Sequence, residues 1–123
     1  MPRNAVGWFE IYVQDMERAK AFYEAVFLQR LDCLESGGVE MWAFRTEQGE
    51  PGSAGALVRV NGMPSGGNST LVYFMCDDCA VAAARVEENG GKLFREKFSI
   101  GEFGFVALAY DTEGNLIGLH SMK

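Results

Sequence analysis

Residues Val6-Gly7-Trp8-Phe9-Glu10-Ile11-Tyr12-Val13 are followed by Gln14-Asp15-Met16-Glu17-Arg18-Ala19. The first eight alternate and are rich in aromatic and β-branched side chains, which predicts a strand. Asp15 then stands where a helix N-cap belongs. Beyond it Met16, Ala19, Phe22, Tyr23, Val26 and Phe27 recur at helical spacing and form one apolar stripe. The same order of elements starts again at residues 70–76, Thr70-Leu71-Val72-Tyr73-Phe74-Met75-Cys76. Asp78 is the second cap, and Cys79, Ala82, Ala83 and Val86 are the second stripe. At an offset of 63 residues Val13 falls on Cys76, Asp15 on Asp78, Met16 on Cys79 and Tyr23 on Val86. The same offset carries Gly55 onto Gly118 in the last strand of each half.

Short strands complete each half, near 30–35, 39–46 and 54–60 in the first and near 92–98, 103–110 and 115–121 in the second. Glu47 to Ser53 contains two Gly and a Pro and predicts a loop. Gly90-Gly91 supplies the stop of the second helix. Asp111-Thr112-Glu113-Gly114-Asn115 predicts a tight turn before the last strand. Asn61 to Ser69 is polar and glycine-rich, and is the internal boundary. It is too short to separate independent domains. The expectation is one α+β domain over 1–123, built of a βαβββ module at 5–60 and another at 70–121.

At 123 residues the chain can bury about two-thirds of its unfolded surface in a single core. A formal net charge of −6 argues against nucleic acid or an anionic membrane as the main partner. No apolar run approaches the roughly 20 residues that cross a bilayer. Met1-Pro2-Arg3-Asn4 lacks the apolar core of a secretion signal. Cys33, Cys76 and Cys79 cannot all pair within one chain, so a reducing, cytoplasmic setting is expected.

The whole pattern resembles the vicinal oxygen chelate superfamily, which includes glyoxalase I, bleomycin-resistance proteins and extradiol dioxygenases. The resemblance rests on four features in order. These are a strand leading into Asp15-Met16-Glu17-Arg18-Ala19, then Phe22-Tyr23, then Gly90-Gly91, then the 111–115 turn. The stretches Trp8 to Val13 and Ser99-Ile100-Gly101-Glu102-Phe103-Gly104-Phe105 are similar to a glyoxalase-like branch. Leu28 departs from the pattern, because the family commonly has glycine after the first helix. The resemblance implies two modules whose curled sheets form a cleft, helices on the outer faces, and pairing into homodimers. Metal-dependent relatives take one ligand from the first and last strand of each module. Those positions here are Trp8, Gly55, Leu71 and Gly118. None carries an imidazole, carboxylate or thiolate, so no metal and no other cofactor is expected.

Alternation along the strands sends Phe9, Ile11 and Val13 to the core and Trp8, Glu10 and Tyr12 to the cleft. By the same reading Leu71, Tyr73, Met75, Leu57, Arg59, Leu116 and His120 face the cleft. Trp8, Tyr12, Tyr73, Trp42 and Phe44 are candidates to stack on a planar or apolar ligand, or else are ordinary sheet-core residues. Glu10 is the sharpest signal, since a mid-strand carboxylate needs a partner. It either serves a ligand or a reaction, or forms a structural ion pair with Arg59 or His120. His120, the only histidine, is a proton relay with Glu10 or an ordinary half-exposed histidine. Arg59 is a candidate anchor for a carboxylate or phosphate.

Cys76-Asp77-Asp78-Cys79 is read as packing rather than redox chemistry, because the acidic pair raises the thiol pKa. The 61–69 loop matches no phosphate-binding motif, and 99–104 is a candidate lid. The leading expectation is a metal-independent protein that binds a small, partly apolar molecule, oriented by Glu10 and Arg59. The alternative is a lyase or isomerase in which Glu10 and His120 act as base and acid or hold a relocated divalent metal. A dimerising accessory domain without ligand is the third reading.

Overall fold

The computed structural model describes residues 5–36, 39–47 and 49–123. The first half contains β1 (Trp8–Tyr12), α1 (Met16–Phe27), β2 (Leu31–Ser36), β3 (Val39–Phe44) and β4 (Ala54–Arg59). The second contains β5 (Val72–Met75), α2 (Cys79–Glu88), β6 (Lys92–Ser99), a 3-10 turn (Gly101–Phe103), β7 (Phe105–Tyr110) and β8 (Leu116–Ser121). Each half makes a four-stranded sheet, in the orders β1-β4-β3-β2 and β5-β8-β7-β6. In both, the first strand lies parallel to the last and the other pairs are antiparallel. The sheets do not close into a barrel.

Local chemistry sets the element ends. The Asp15 carboxylate accepts from the Arg18 backbone N–H at 3.1 Å, and Asp78 accepts from that of Ala80 at 2.9 Å. Each bond satisfies one of the donors that a helix start leaves unpaired. The second helix stops at Asn89-Gly90 as expected, with Gly90 at φ 92°. The first stops differently. Leu28 takes the left-handed conformation at φ 54°, the one non-glycine with positive φ among the described residues. That is the position where the resemblance implied a glycine, and here a β-carbon occupies it at a cost of about 1 kcal/mol.

The helices meet each other on the far side of both sheets. Arg85 Nε donates to the Val26 carbonyl at 2.8 Å, and the Phe22 ring fills the space beside Gly91. The two halves therefore share one core, centred on Phe9, Tyr23, Phe27, Phe44 and Phe74. The Phe27 and Phe74 rings stack at 4.4 Å, and Phe9 meets Phe74 edge-on at 6.1 Å.

The 111–115 turn locks the halves together. Glu113 Oε1 accepts from the backbone N–H groups of Gln14 and Asp15 at 2.8 and 2.9 Å. Arg18 donates to Glu113 from Nε at 2.7 Å and from Nη2 at 3.0 Å. The buried Tyr23 hydroxyl donates to Asp111 Oδ2 at 2.6 Å, and Asn115 Nδ2 donates to the Tyr12 carbonyl at 3.0 Å. The Asn61–Ser69 connection is pinned along this turn, with Ser65 Oγ on the Glu113 carbonyl and the Gly66 N–H on Asn115 Oδ1, both at 2.6 Å.

The sheet register corrects one expectation. Phe9 pairs with Gly55 and Glu10 with Ala56, whereas Tyr73 pairs with Gly118. Since Glu10 and Tyr73 are counterparts, the residue equivalent to Gly118 is Ala56, not Gly55. The offset is 63 at the first strand and helix but one less in the last strand. A one-residue slip sends every side chain to the other face. Gly55 accordingly faces the core, where a β-carbon would run into the Phe9 ring. Leu57, expected on the open face, is fully buried in the core opposite Ile11.

Candidate ligand-binding face

The side of the first sheet away from the helices carries Trp8, Glu10 and Tyr12 on successive outward positions of β1. Trp8 Nε1 donates to one Glu10 oxygen and the Tyr12 hydroxyl to the other, each at 3.2 Å. The expected partners, Arg59 and His120, do not hold this carboxylate. The Tyr12 phenol pKa is raised, chiefly because its proton is held by the Glu10 carboxylate. Beside this triad the next strands carry apolar residues, of which Ala56 and Val58 are buried. Ala56 stands opposite Glu10, Ala43 opposite Ala56, and Met41 opposite Val58. These neighbours escaped sequence analysis, because only the true register puts them on that face.

An open groove of about 270 Å³ runs from Glu10 and Tyr12 to Val72 and Leu116, with Pro64 to Thr70 as its rim. On the second sheet Tyr73 lies half-exposed over Gly118, whose missing side chain leaves room for the ring. His120 Nε2 sits 2.7 Å from the Phe103 carbonyl, in the 3-10 turn of the expected lid. The carbonyl oxygen can only accept, so Nε2–H donates to it. Glu10 and His120 thus engage different partners, and no hydrogen bond joins them.

Three expected wall residues lie elsewhere. Trp42 is opposite Leu57 on the helix side, under the Lys20 ammonium at 3.3 Å from the ring centre. Phe44 is buried in the core, 5.7 Å from the Tyr23 ring. Arg59 shares the parity of Leu57 and donates from Nε to the Gln14 carbonyl at 3.1 Å. All three follow from the register of β4 and β3. Cys79 is buried and Cys76 half-buried, its thiol pushed up to about 11 mainly by burial, while Cys33 is exposed.

The outward positions equivalent to the ligand positions of metal-dependent relatives are Trp8, Ala56, Leu71 and Gly118. An indole, two hydrocarbon side chains and a glycine offer no lone pair suited to a transition metal. Among the described residues no three of His, Cys, Asp and Glu gather into an alternative site. The residues therefore do not fit the metal that the fold implies.

Residues 6–27, the strand and capped helix that open the chain, match the family described as bleomycin resistance protein-like N-terminal. The doubled module is also seen in TnmS3, an antibiotic binding protein from a Streptomyces species. It is 26% identical, with 100% of this chain and 99% of that one covered and a TM-score of 0.69. The fold and the opening segment are those of the vicinal oxygen chelate superfamily. Two further proteins of similar fold are a glyoxalase/bleomycin resistance protein from Albidiferax ferrireducens and a glyoxalase I variant from Zea mays. The first is 22% identical over 94% of this chain and 98% of that one, with a TM-score of 0.70. The second is 18% identical over 94% of this chain but 45% of that one, with a TM-score of 0.73. No match is found among curated proteins. No described helix of the chain is long and apolar enough to cross a membrane.

Proposed function

We propose that this protein binds a small, partly apolar organic molecule on the face built by Trp8, Glu10 and Tyr12, without a transition metal. The observation that carries this reading is that triad, two of whose members, Glu10 and Tyr12, line an open groove. The aromatic pair supplies contact area and the carboxylate supplies direction, the usual division in a small-molecule site. The likeness to an antibiotic binding protein supports the same reading. Half-exposed Tyr73 and exposed Met75 on the open face of the second sheet support a homodimer in which a second copy covers them. Three free thiols suit a reducing cytoplasm. A lyase or isomerase run by Glu10 and His120 is the weaker reading, because the two side chains bond to different groups.

The test is a fluorescence titration with bleomycin and a panel of aromatic antibiotics, alongside elemental analysis of untagged protein. Binding quenches Trp8 emission in the native protein and, followed by calorimetry, is lost in Trp8→Ala, with no divalent ion copurifying at one per chain. A stoichiometric ion whose removal abolishes binding overturns the proposal.

A further inference from the structure

Glu10 is an anion whose two side-chain partners are both neutral. The Trp8 N–H and the Tyr12 hydroxyl orient its carboxylate, each at 3.2 Å, and neither cancels its charge. Among the described residues no lysine, arginine or histidine forms an ion pair with it. A neutral ligand covering this face would take a carboxylate out of water without compensation, which is unfavourable. An anionic ligand would meet it with like charge, on a chain of formal net charge −6. A bare divalent ion would find one carboxylate where it needs several donors.

An organic ammonium ion satisfies all three conditions. Its charge meets the Glu10 oxygens, and its alkyl groups lie against the indole and phenol rings, which attract cations through their faces. The open groove lined by Glu10 and Tyr12 leaves space beside the carboxylate for those groups. We propose that the Trp8–Glu10–Tyr12 triad recognises an alkylated ammonium group, so that the ligand of this face is an organic cation. This rests on the binding reading above and narrows it to one charge class.

The test uses three probes of similar size. They are phenyltrimethylammonium, its uncharged carbon analogue tert-butylbenzene, and benzoate, each titrated by tryptophan fluorescence and calorimetry. The cation is expected to bind about tenfold or more tighter than the neutral analogue, as charge-assisted contacts do. Its affinity is expected to fall as salt rises. Glu10 is exposed, so Glu10→Gln leaves the fold intact. That substitution brings the cation down to the affinity of the neutral probe. Equal or tighter binding of tert-butylbenzene, or of benzoate, overturns the inference while leaving the binding reading standing. An unchanged cation affinity in Glu10→Gln does the same. Failure of all three probes, together with failure of bleomycin and the antibiotic panel, overturns both.

Discussion

Replacing Glu113 by glutamine keeps the shape of the side chain and removes its charge. In the native chain four donors converge on that carboxylate: two backbone N–H groups at the start of α1, the Arg18 guanidinium and the Thr112 hydroxyl. Burial raises the carboxyl pKa, but Arg18 and the other hydrogen bonds outweigh it and lower the value from 4.5 to about 2. A displacement of that size corresponds to about 3 kcal/mol, at about 1.4 kcal/mol per tenfold change in proton affinity. The Arg18 side chain is 52% exposed, so water screens its share and the expected effect is about 2 kcal/mol. Because the folded-state pKa is depressed, this stability is fully present above about pH 4.5. It is lost as the pH falls through about 2. Urea unfolding followed by circular dichroism at pH 7 and pH 3 would measure it in both proteins. Glu113→Gln should be about 2 kcal/mol less stable at pH 7, with much of the gap gone at pH 3. Parallel pH curves for the two proteins would refute the reasoning.

The two glycines that sequence analysis paired should behave differently. Gly55→Ala drives a methyl group into the Phe9 ring, held by Phe44 and Phe74, and should cost about 2–3 kcal/mol in urea unfolding. Gly118→Ala meets the half-exposed Tyr73 ring, which can swing into water, and should cost about 1 kcal/mol or less. Equal losses would show that the register is wrong. Leu28→Gly relieves a left-handed backbone at a residue 73% exposed and should raise stability by about 1 kcal/mol, whereas a loss would mean that the side chain matters more than the strain. Iodoacetamide near neutral pH should label one cysteine per chain quickly, Cys33, by peptide mass spectrometry. Equally fast labelling of Cys76 would contradict its burial and raised pKa.

The alternating strand at Trp8–Tyr12, the Asp15 and Asp78 caps and the two apolar stripes were legible because each is a local pattern within one element. Those patterns led to the doubled module and to the triad face of Glu10. The positions of Trp42, Phe44, Leu57 and Arg59 were not legible, because they depend on which residue of β4 pairs with which residue of β1. That register is set by the length and path of the loop before β4, on which periodicity is silent. Glu113 escaped notice for a related reason. Its partners lie across the molecule, and nothing near it in the chain marks it as more than a turn residue.

The bond from Gln14 N–H to Glu113 spans 99 positions of sequence. During synthesis the first half leaves the ribosome long before that carboxylate exists. The two amides just ahead of the opening helix stay hydrated until the closing turn emerges to receive them. Assembly is therefore a late, concerted event, and nascent chains caught before it expose aromatic surface to chaperones.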